Sequence, residues 1–168
     1  MSEREGVITF KGGPMTLVGD ELSVGQAAPD FTLKGNDLSE VKLADYAGKK
    51  LILVTIPSLD TPVCDTETRR FNEEAGKLGD GVAVLVVSVD LPFAQARWCG
   101  QADATNITTA SDYLDHAFGV AYGVRIKELG LLARTVSVID ADGKVTYHEM
   151  VKEVTEEPNY DAALAAAS

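Results

Sequence analysis

Two near-continuous apolar runs constrain the fold of this chain more than any other feature. Residues 51–56 and 82–89 are rich in β-branched residues and contain few polar side chains. Such runs are typical of strands covered on both faces, as parallel strands usually are. Between them, segment 62–78 places Phe71, Ala75 and Leu78 at helical spacing, with charged residues at the other positions. The three segments therefore predict a parallel β-α-β unit with an amphipathic crossover helix.

The remaining segments extend this pattern. Further strands are predicted at 7–10, 15–18, 30–33, 106–111, 133–139 and 144–151, and further helices at 90–101, 114–122 and 159–167. The first two strands flank a turn at 11–14, and Asp140-Ala141-Asp142-Gly143 separates the last two as a hairpin signal. We expect an α/β, thioredoxin-like fold with a mixed central sheet covered by helices and an added N-terminal β-hairpin. Since no linker, repeat or low-complexity segment interrupts the chain, a single domain over residues 1–168 is predicted.

Charge and hydropathy exclude several kinds of partner. The chain has 15 basic and 26 acidic residues and a net charge of −11. Nucleic acid and anionic membranes are excluded because phosphate binding depends on clustered cations. No apolar stretch approaches the ~18 residues that a membrane span needs. The first residues lack the basic and apolar regions of a signal peptide, so a cytoplasmic location is predicted. Thiols stay reduced there, and cysteines are more often inert, catalytic or metal-bound than bridged.

Cys64 occupies a position that activates a thiol. Thr61 suits the N-cap of the predicted helix and Pro62 its first position, which makes Cys64 the third helical residue. Free backbone N–H groups and the positive end of the helix dipole meet there, and both favour thiolate over thiol. The Thr61 hydroxyl lies within one helical turn of the sulfur, where it can hydrogen-bond at the reacting centre. The alternative interpretation makes Cys64 a small buried hydrophobe and Thr61 only a cap.

The segment Pro57-Ser58-Leu59-Asp60-Thr61-Pro62-Val63-Cys64 resembles the P-x-x-x-T-x-x-C signature of peroxiredoxins. The sequence of this segment is similar to that of the thiol peroxidase subfamily of atypical two-cysteine peroxiredoxins. The likeness extends over nearly the whole chain, with departures at Trp98 and at Tyr113-Leu114. It implies an enzyme that reduces hydrogen peroxide and organic hydroperoxides to water and alcohols.

The resemblance also implies a role for each site residue. Cys64 is the peroxidatic cysteine, oxidised to a sulfenic acid, and Cys99 is the resolving cysteine, which closes an intrachain disulfide. Thr61 and Arg134 are polar helpers, and Pro57 shields the site. Thioredoxin is the implied reductant, and a homodimer the implied assembly.

Arg134 and Cys99 also support these roles through their own chemistry. Arg134 interrupts an uncharged run near a strand start, and a permanent cation with several donors suits a peroxide oxygen. Alternatively, its side chain reaches solvent at the strand end.

Cys99 lies too far along the chain from Cys64 for a Cys-x-x-Cys dithiol. Two helix-borne cysteines would have to unwind locally to meet, because a disulfide needs Cα atoms within about 7 Å. The alternative is a buried cysteine that fills a helix face beside Trp98.

Other reactive residue types indicate no further site. His116 and His148 are isolated, no spacing resembles a zinc site, and no cofactor or metal is predicted. The charged residues of the first helix are interpreted as its solvent-exposed face, namely Asp65, Glu67, Arg69, Arg70, Glu73 and Glu74.

Three functional classes follow from the two cysteines. The first is a thioredoxin-dependent hydroperoxide reductase. The second is a disulfide oxidoreductase, against which Thr61 argues because it stands where a second active-site cysteine would be. The third is a non-catalytic thioredoxin-like interaction module in which both cysteines belong to the core.

Overall fold

The computed structural model describes residues 2–168 as two β-sheets with four α-helices. The strands are β1 (Glu3–Phe10), β2 (Gly13–Val18), β3 (Thr32–Gly35), β4 (Glu40–Lys42), β5 (Lys50–Thr55), β6 (Val82–Ser88), β7 (Thr108–Ser111), β8 (Arg125–Ile126), β9 (Thr135–Ile139) and β10 (Val145–Met150). The helices are α1 (Pro62–Ala75), α2 (Pro92–Ala102), α3 (Ala117–Ala121) and α4 (Tyr160–Ala166), and a 3-10 turn spans Leu43–Tyr46.

The larger sheet has seven strands in the order β10-β9-β5-β6-β7-β3-β4. β5, β6 and β7 are parallel, whereas β9 and β3 pair antiparallel with the outer members of this trio. A second sheet of three strands has the order β1-β2-β8 and contains the N-terminal hairpin. The predicted mixed sheet, its β-α-β unit and the added hairpin are confirmed.

The core lies on both faces of the seven-stranded sheet because successive side chains of a strand point to opposite faces. Ile52 and Val54 belong to one buried cluster, which also holds Phe71 of α1 and Trp98 of α2. Leu51 and its alternate neighbours belong to another, which includes side chains from α3 and from the three-stranded sheet. Both faces of β5 are thus covered, as its apolar run predicts.

Strand register brings two distant segments together. β5 and β9 are antiparallel with Thr55 opposite Thr135, and the Thr55 hydroxyl donates to the Ala133 carbonyl oxygen at 2.7 Å. The segment that follows β5 leads to Cys64, and the residue before β9 is Arg134. Pairing of the two strands therefore places the start of α1 near Arg134.

Some local elements differ from the sequence prediction. The helix predicted at 114–122 begins only at Ala117, because the Asp112 carboxylate accepts the backbone N–H groups of Phe118 and Gly119 and holds the preceding residues in a turn. β4 and β8, of three and two residues, were not predicted because such short strands show no periodicity. Among residues 2–168, no helix is both long and apolar enough to cross a membrane.

Candidate active site

Cys64 lies in the first turn of α1, as predicted. Thr61 is the N-cap with extended backbone, Pro62 begins the helix, and Cys64 is its third residue with 0% of its surface exposed. The hydrogen bonding of the Thr61 hydroxyl differs from that of the predicted cap. The hydroxyl donates to the Ser58 carbonyl oxygen at 2.9 Å and makes no capping bond to the helix. Its lone pairs are therefore free of the helix N–H groups.

Asp90, beyond the end of β6, holds the loop between β5 and α1. Its carboxylate accepts the Ser58 hydroxyl at 2.7 Å and the Leu59 backbone N–H at 2.8 Å. The Ser88 hydroxyl donates to the same carboxylate at 2.7 Å. Asp90 was not predicted as a site residue. An acidic residue directly after a buried parallel strand is nevertheless a usable signal, since functional groups gather at that edge of a sheet.

Arg134 is buried and paired. It is 2% exposed, its Nη1 donates to Glu67 Oε1 at 2.8 Å, and its Nε donates to the Val154 carbonyl oxygen at 2.9 Å. This contradicts the alternative in which its side chain reaches solvent. Burial acts to lower the pKa of Arg134, but interactions with Glu67 and then with Cys64 outweigh burial and raise this pKa. The guanidinium is thus a permanent cation beside the Cys64 sulfur.

Glu67 corrects the interpretation of the first helix as having only exposed charges. It is 0% exposed, and Oε2 has no hydrogen-bond partner among the described residues. Burial raises the pKa of Glu67 to about 7, although Arg134 acts against that rise. The sequence does not indicate that Glu67 is buried, because its position in the helix resembles those of its exposed charged neighbours. Only the ion pair with Arg134 explains a buried carboxyl there.

A pocket of about 220 Å³ opens over the start of α1. Three predicted site residues line it, namely Pro57, Thr61 and Arg134, with Phe10 and Val154 among the others. The lining is mostly apolar, and its two basic side chains are those of Arg134 and Lys11. Such a space accepts a small molecule with a polar end at Arg134 and an apolar remainder.

Cys99 lies on α2, and its side chain contacts β7. It is partly buried, and its sulfur lies 3.4 Å from the Thr109 hydroxyl of β7. That hydroxyl donates to Asn36 Oδ1 at 2.8 Å, so the Cys99 thiol is the donor toward Thr109. Both cysteines are free thiols.

The residues before Cys99 connect α2 to α1. Trp98 Nε1 donates to Asp65 Oδ1 at 2.8 Å, and Arg97 Nη2 lies 3.1 Å from Asp60 Oδ1. Successive residues on a helix point about 100° apart, so Cys99 faces β7 while its neighbours face the start of α1. A Cys64–Cys99 bond thus requires the Cys99 sulfur to leave Thr109, a change that local unwinding of α2 allows.

Comparison with known proteins decides the family of this chain. The family model described as Redoxin matches residues 23–164. The chain belongs to the Redoxin family. This redoxin is 59% identical to the thiol peroxidase of Bacillus subtilis over 95% of each chain, and 57% identical to a thiol peroxidase of Staphylococcus aureus over 95% of this chain and 96% of the relative.

Solved structures agree with this assignment. A crystal structure of a peroxiredoxin-like protein from Aquifex aeolicus superposes with a TM-score of 0.90 at 45% identity, over 96% of this redoxin and 95% of that chain. The predicted peroxiredoxin relationship, its thioredoxin-like fold and its activity as a peroxidase enzyme are confirmed. The residues that the Redoxin model matches begin after the β1–β2 hairpin. The hairpin is therefore an N-terminal addition to the part of the chain that this model covers.

Proposed function

We propose that Cys64 is the peroxidatic cysteine of this peroxidase and that Arg134, Thr61 and Pro57 form the rest of its oxidation site. The Cys64 thiolate attacks one oxygen of the hydroperoxide, a sulfur–oxygen bond forms, and the oxygen–oxygen bond breaks. The leaving oxygen takes up a proton and departs as water or an alcohol, while Cys64 becomes a sulfenic acid. The observation that carries the proposal is the buried Arg134 cation, which lies beside the sulfur and lines the pocket.

Each remaining residue supports this step through its position. Arg134 stabilises the charge that develops on the leaving oxygen, and its two fixed partners prevent reorganisation during the reaction. Thr61 faces the pocket with a hydroxyl oxygen available to the hydroperoxide, since its proton is used by Ser58. Pro57 is buried in the pocket wall and excludes water without offering an N–H group.

Cys99 resolves the sulfenic acid in the proposed cycle. Its thiolate attacks the Cys64 sulfur, the disulfide forms, and hydroxide leaves to become water. Thioredoxin then supplies two electrons and two protons and restores both thiols. The bonds from Trp98 and Arg97 to the α1 region support this step, because they keep the segment that carries Cys99 close to Cys64.

The test is hydroperoxide consumption with thioredoxin as reductant. Cys64→Ser is expected to abolish turnover, whereas Cys99→Ser should keep one fast oxidation and lose recycling. Mass mapping of the oxidised protein should find the intrachain Cys64–Cys99 linkage. Undiminished turnover in Cys64→Ser would instead favour the alternative, a non-catalytic thioredoxin-like interaction module, for which complete burial of Cys64 is the supporting observation.

A homodimer is part of the proposal, and an apolar end patch supports it. This patch consists of Leu91, Phe93 and Leu114, which are 52%, 66% and 64% exposed. The Ser111 hydroxyl donates to the Asp90 carbonyl oxygen and so joins the two segments that carry it. Exposed apolar clusters of this kind mark interaction surfaces.

Analytical ultracentrifugation tests the assembly. Phe93→Asp should convert a dimer to a monomer, while Val24→Asp, at a similarly exposed apolar residue elsewhere, should not. A parent chain that sediments as a monomer at all concentrations contradicts the homodimer.

We further propose that residues 1–168 act as one domain in the cytoplasm. Side chains of the three-stranded sheet share a buried cluster with the seven-stranded sheet, which supports a single folding unit. A cycle that depends on thioredoxin needs a reducing compartment, which supports the location. Cell fractionation tests the second point, and a single calorimetric unfolding transition tests the first.

A further inference from the structure

The tip of the β1–β2 hairpin forms one wall of the pocket over α1. Phe10 and Lys11 line this pocket together with Thr61 and Arg134. The hairpin precedes the residues that the family model matches, so this wall is an addition to the redoxin core. Its position relative to Arg134 consequently depends on contacts between the hairpin and segment 152–155 of the core.

The Glu153 carboxylate binds the hairpin tip. It accepts the Thr9 hydroxyl at 2.9 Å, the Gly12 backbone N–H at 2.8 Å and the Lys11 backbone N–H at 3.3 Å. Lys11 and Gly12 have φ values of +50° and +80°, a left-handed turn whose two N–H groups both face the carboxylate. Thr155 orients Glu153 from the other side, through its backbone N–H at 2.9 Å and its hydroxyl at 2.7 Å.

Backbone bonds extend this clamp to the reacting centre. Thr9 N donates to the Lys152 carbonyl oxygen at 2.7 Å, and Val154 N donates to the Thr9 carbonyl oxygen at 2.8 Å. The Val154 carbonyl oxygen in turn accepts Arg134 Nε. The hairpin tip, segment 152–155 and the Arg134 guanidinium are thus connected by a short series of hydrogen bonds. The bonds from Thr155, Gly12 and Thr9 lower the pKa of Glu153 to about 2, so the clamp stays charged at neutral pH.

We propose that Glu153 is a positioning residue that holds the hairpin tip as a wall of the hydroperoxide pocket and so determines the preference for hydroperoxides with a bulky apolar substituent over hydrogen peroxide. This inference rests on the proposed function of the pocket. Hydrogen peroxide requires only the polar groups of the site, namely Cys64, Thr61 and Arg134, because it carries no substituent. A cumyl group must be received by apolar surface, and Phe10 and Val154 supply it on the two sides of the clamp.

The kinetic test compares Glu153→Ala with a matched control, Glu128→Ala. The Glu128 carboxylate also binds the hairpin, since it accepts Thr16 N at 2.9 and 3.0 Å, but neither residue lines the pocket. For Glu153→Ala we expect kcat/KM for cumene hydroperoxide to fall about tenfold, mainly through KM, the scale on which an apolar pocket distinguishes related substrates. The value for hydrogen peroxide should change little, and Glu153→Gln, which keeps one acceptor, should be intermediate.

An independent readout follows the clamp itself. Hydrogen exchange of the Lys11 and Gly12 amides should accelerate in Glu153→Ala and stay at the parent rate in Glu128→Ala. If Glu153→Ala does not fold, Glu153→Gln provides the same comparison at smaller amplitude.

Unchanged selectivity in a folded Glu153 variant overturns the inference, as does an equal loss with both hydroperoxides or the same loss in Glu128→Ala. If the Cys64→Ser variant keeps the parent activity toward both hydroperoxides, the proposed function is refuted instead. The two failures are therefore distinguishable.

Discussion

Gly100, directly after Cys99 in α2, offers a sharp test of how the resolving cysteine reaches Cys64. It is exposed and helical, and a Cβ at this position would meet no atom within 4 Å. Sterics therefore do not require glycine here. Glycine in a helix interior is less favourable than alanine by ~0.8–1 kcal/mol, so Gly100 weakens the helix at the point that has to open.

Gly100→Ala should slow disulfide formation without affecting the first oxidation. The substitution stabilises helical α2 by ~0.9 kcal/mol, which lowers the unwound population about four- to fivefold. If unwinding precedes attack by Cys99, the rate of Cys64–Cys99 bond formation falls by the same factor. The sulfenic acid then lives longer, and more of Cys64 is overoxidised to sulfinic acid at high peroxide concentration.

Stopped-flow fluorescence of Trp98 measures the two steps separately. Trp98 is buried, adjacent to Cys99 and hydrogen-bonded to Asp65, so its environment changes when α2 opens. Ala96→Gly, at an exposed position of the same helix, should accelerate the second phase by a similar factor. Ala165→Gly in α4 is the control and should leave the rate of the second phase unchanged. A Gly100→Ala protein that melts at a higher temperature but forms the disulfide at the parent rate would refute the unwinding argument.

Three further predictions concern the groups around Cys64. Arg134→Lys keeps the charge but cannot bind Glu67, Val154 and the peroxide oxygen together, so the first oxidation should slow at least about tenfold in stopped-flow measurements; an unchanged rate removes Arg134 from the site. The pKa of Glu67 is raised from 4.5 to about 7 in the folded state, so its contribution to stability is present below pH 4.5 and is lost as the pH rises through 7. Between pH 4.5 and 7, the melting temperature of Glu67→Gln should therefore decline less than that of the parent. Parallel plots of melting temperature against pH would contradict a raised pKa. Asp90→Ala should lower the free energy of unfolding by about 2 kcal/mol in urea titrations, because Ser58 and Leu59 lose their acceptor; full stability would show that the loop holds itself.

Local patterns anticipated the framework and the reactive sulfur. The apolar runs that became β5 and β6 and the amphipathic pattern of α1 are written in neighbouring residues, as is the Thr61-Pro62 start that makes Cys64 the third helical residue. Each depends on interactions within a few residues, so a pattern in the chain is enough to identify it. The boundaries that were missed, such as the late start of α3, depend on a side chain reaching back to the helix.

Chemistry that depends on distant pairs was decided by the fold. Glu67 looks like an exposed helix residue until β9 brings Arg134 against it, and Asp90 looks like a helix start until its carboxylate meets Ser58. The Glu153 clamp likewise joins residues from opposite ends of the chain.

The sequence by itself determined that a thiol stands at a helix start after a buried strand. Only the tertiary structure decided which cation faces that thiol, which carboxyl is buried behind the cation, and which wall encloses the peroxide. The physical reason is that a hydrogen bond depends on distance in space, and Arg134 meets the start of α1 only through the pairing of β5 with β9 and the loop that Asp90 holds.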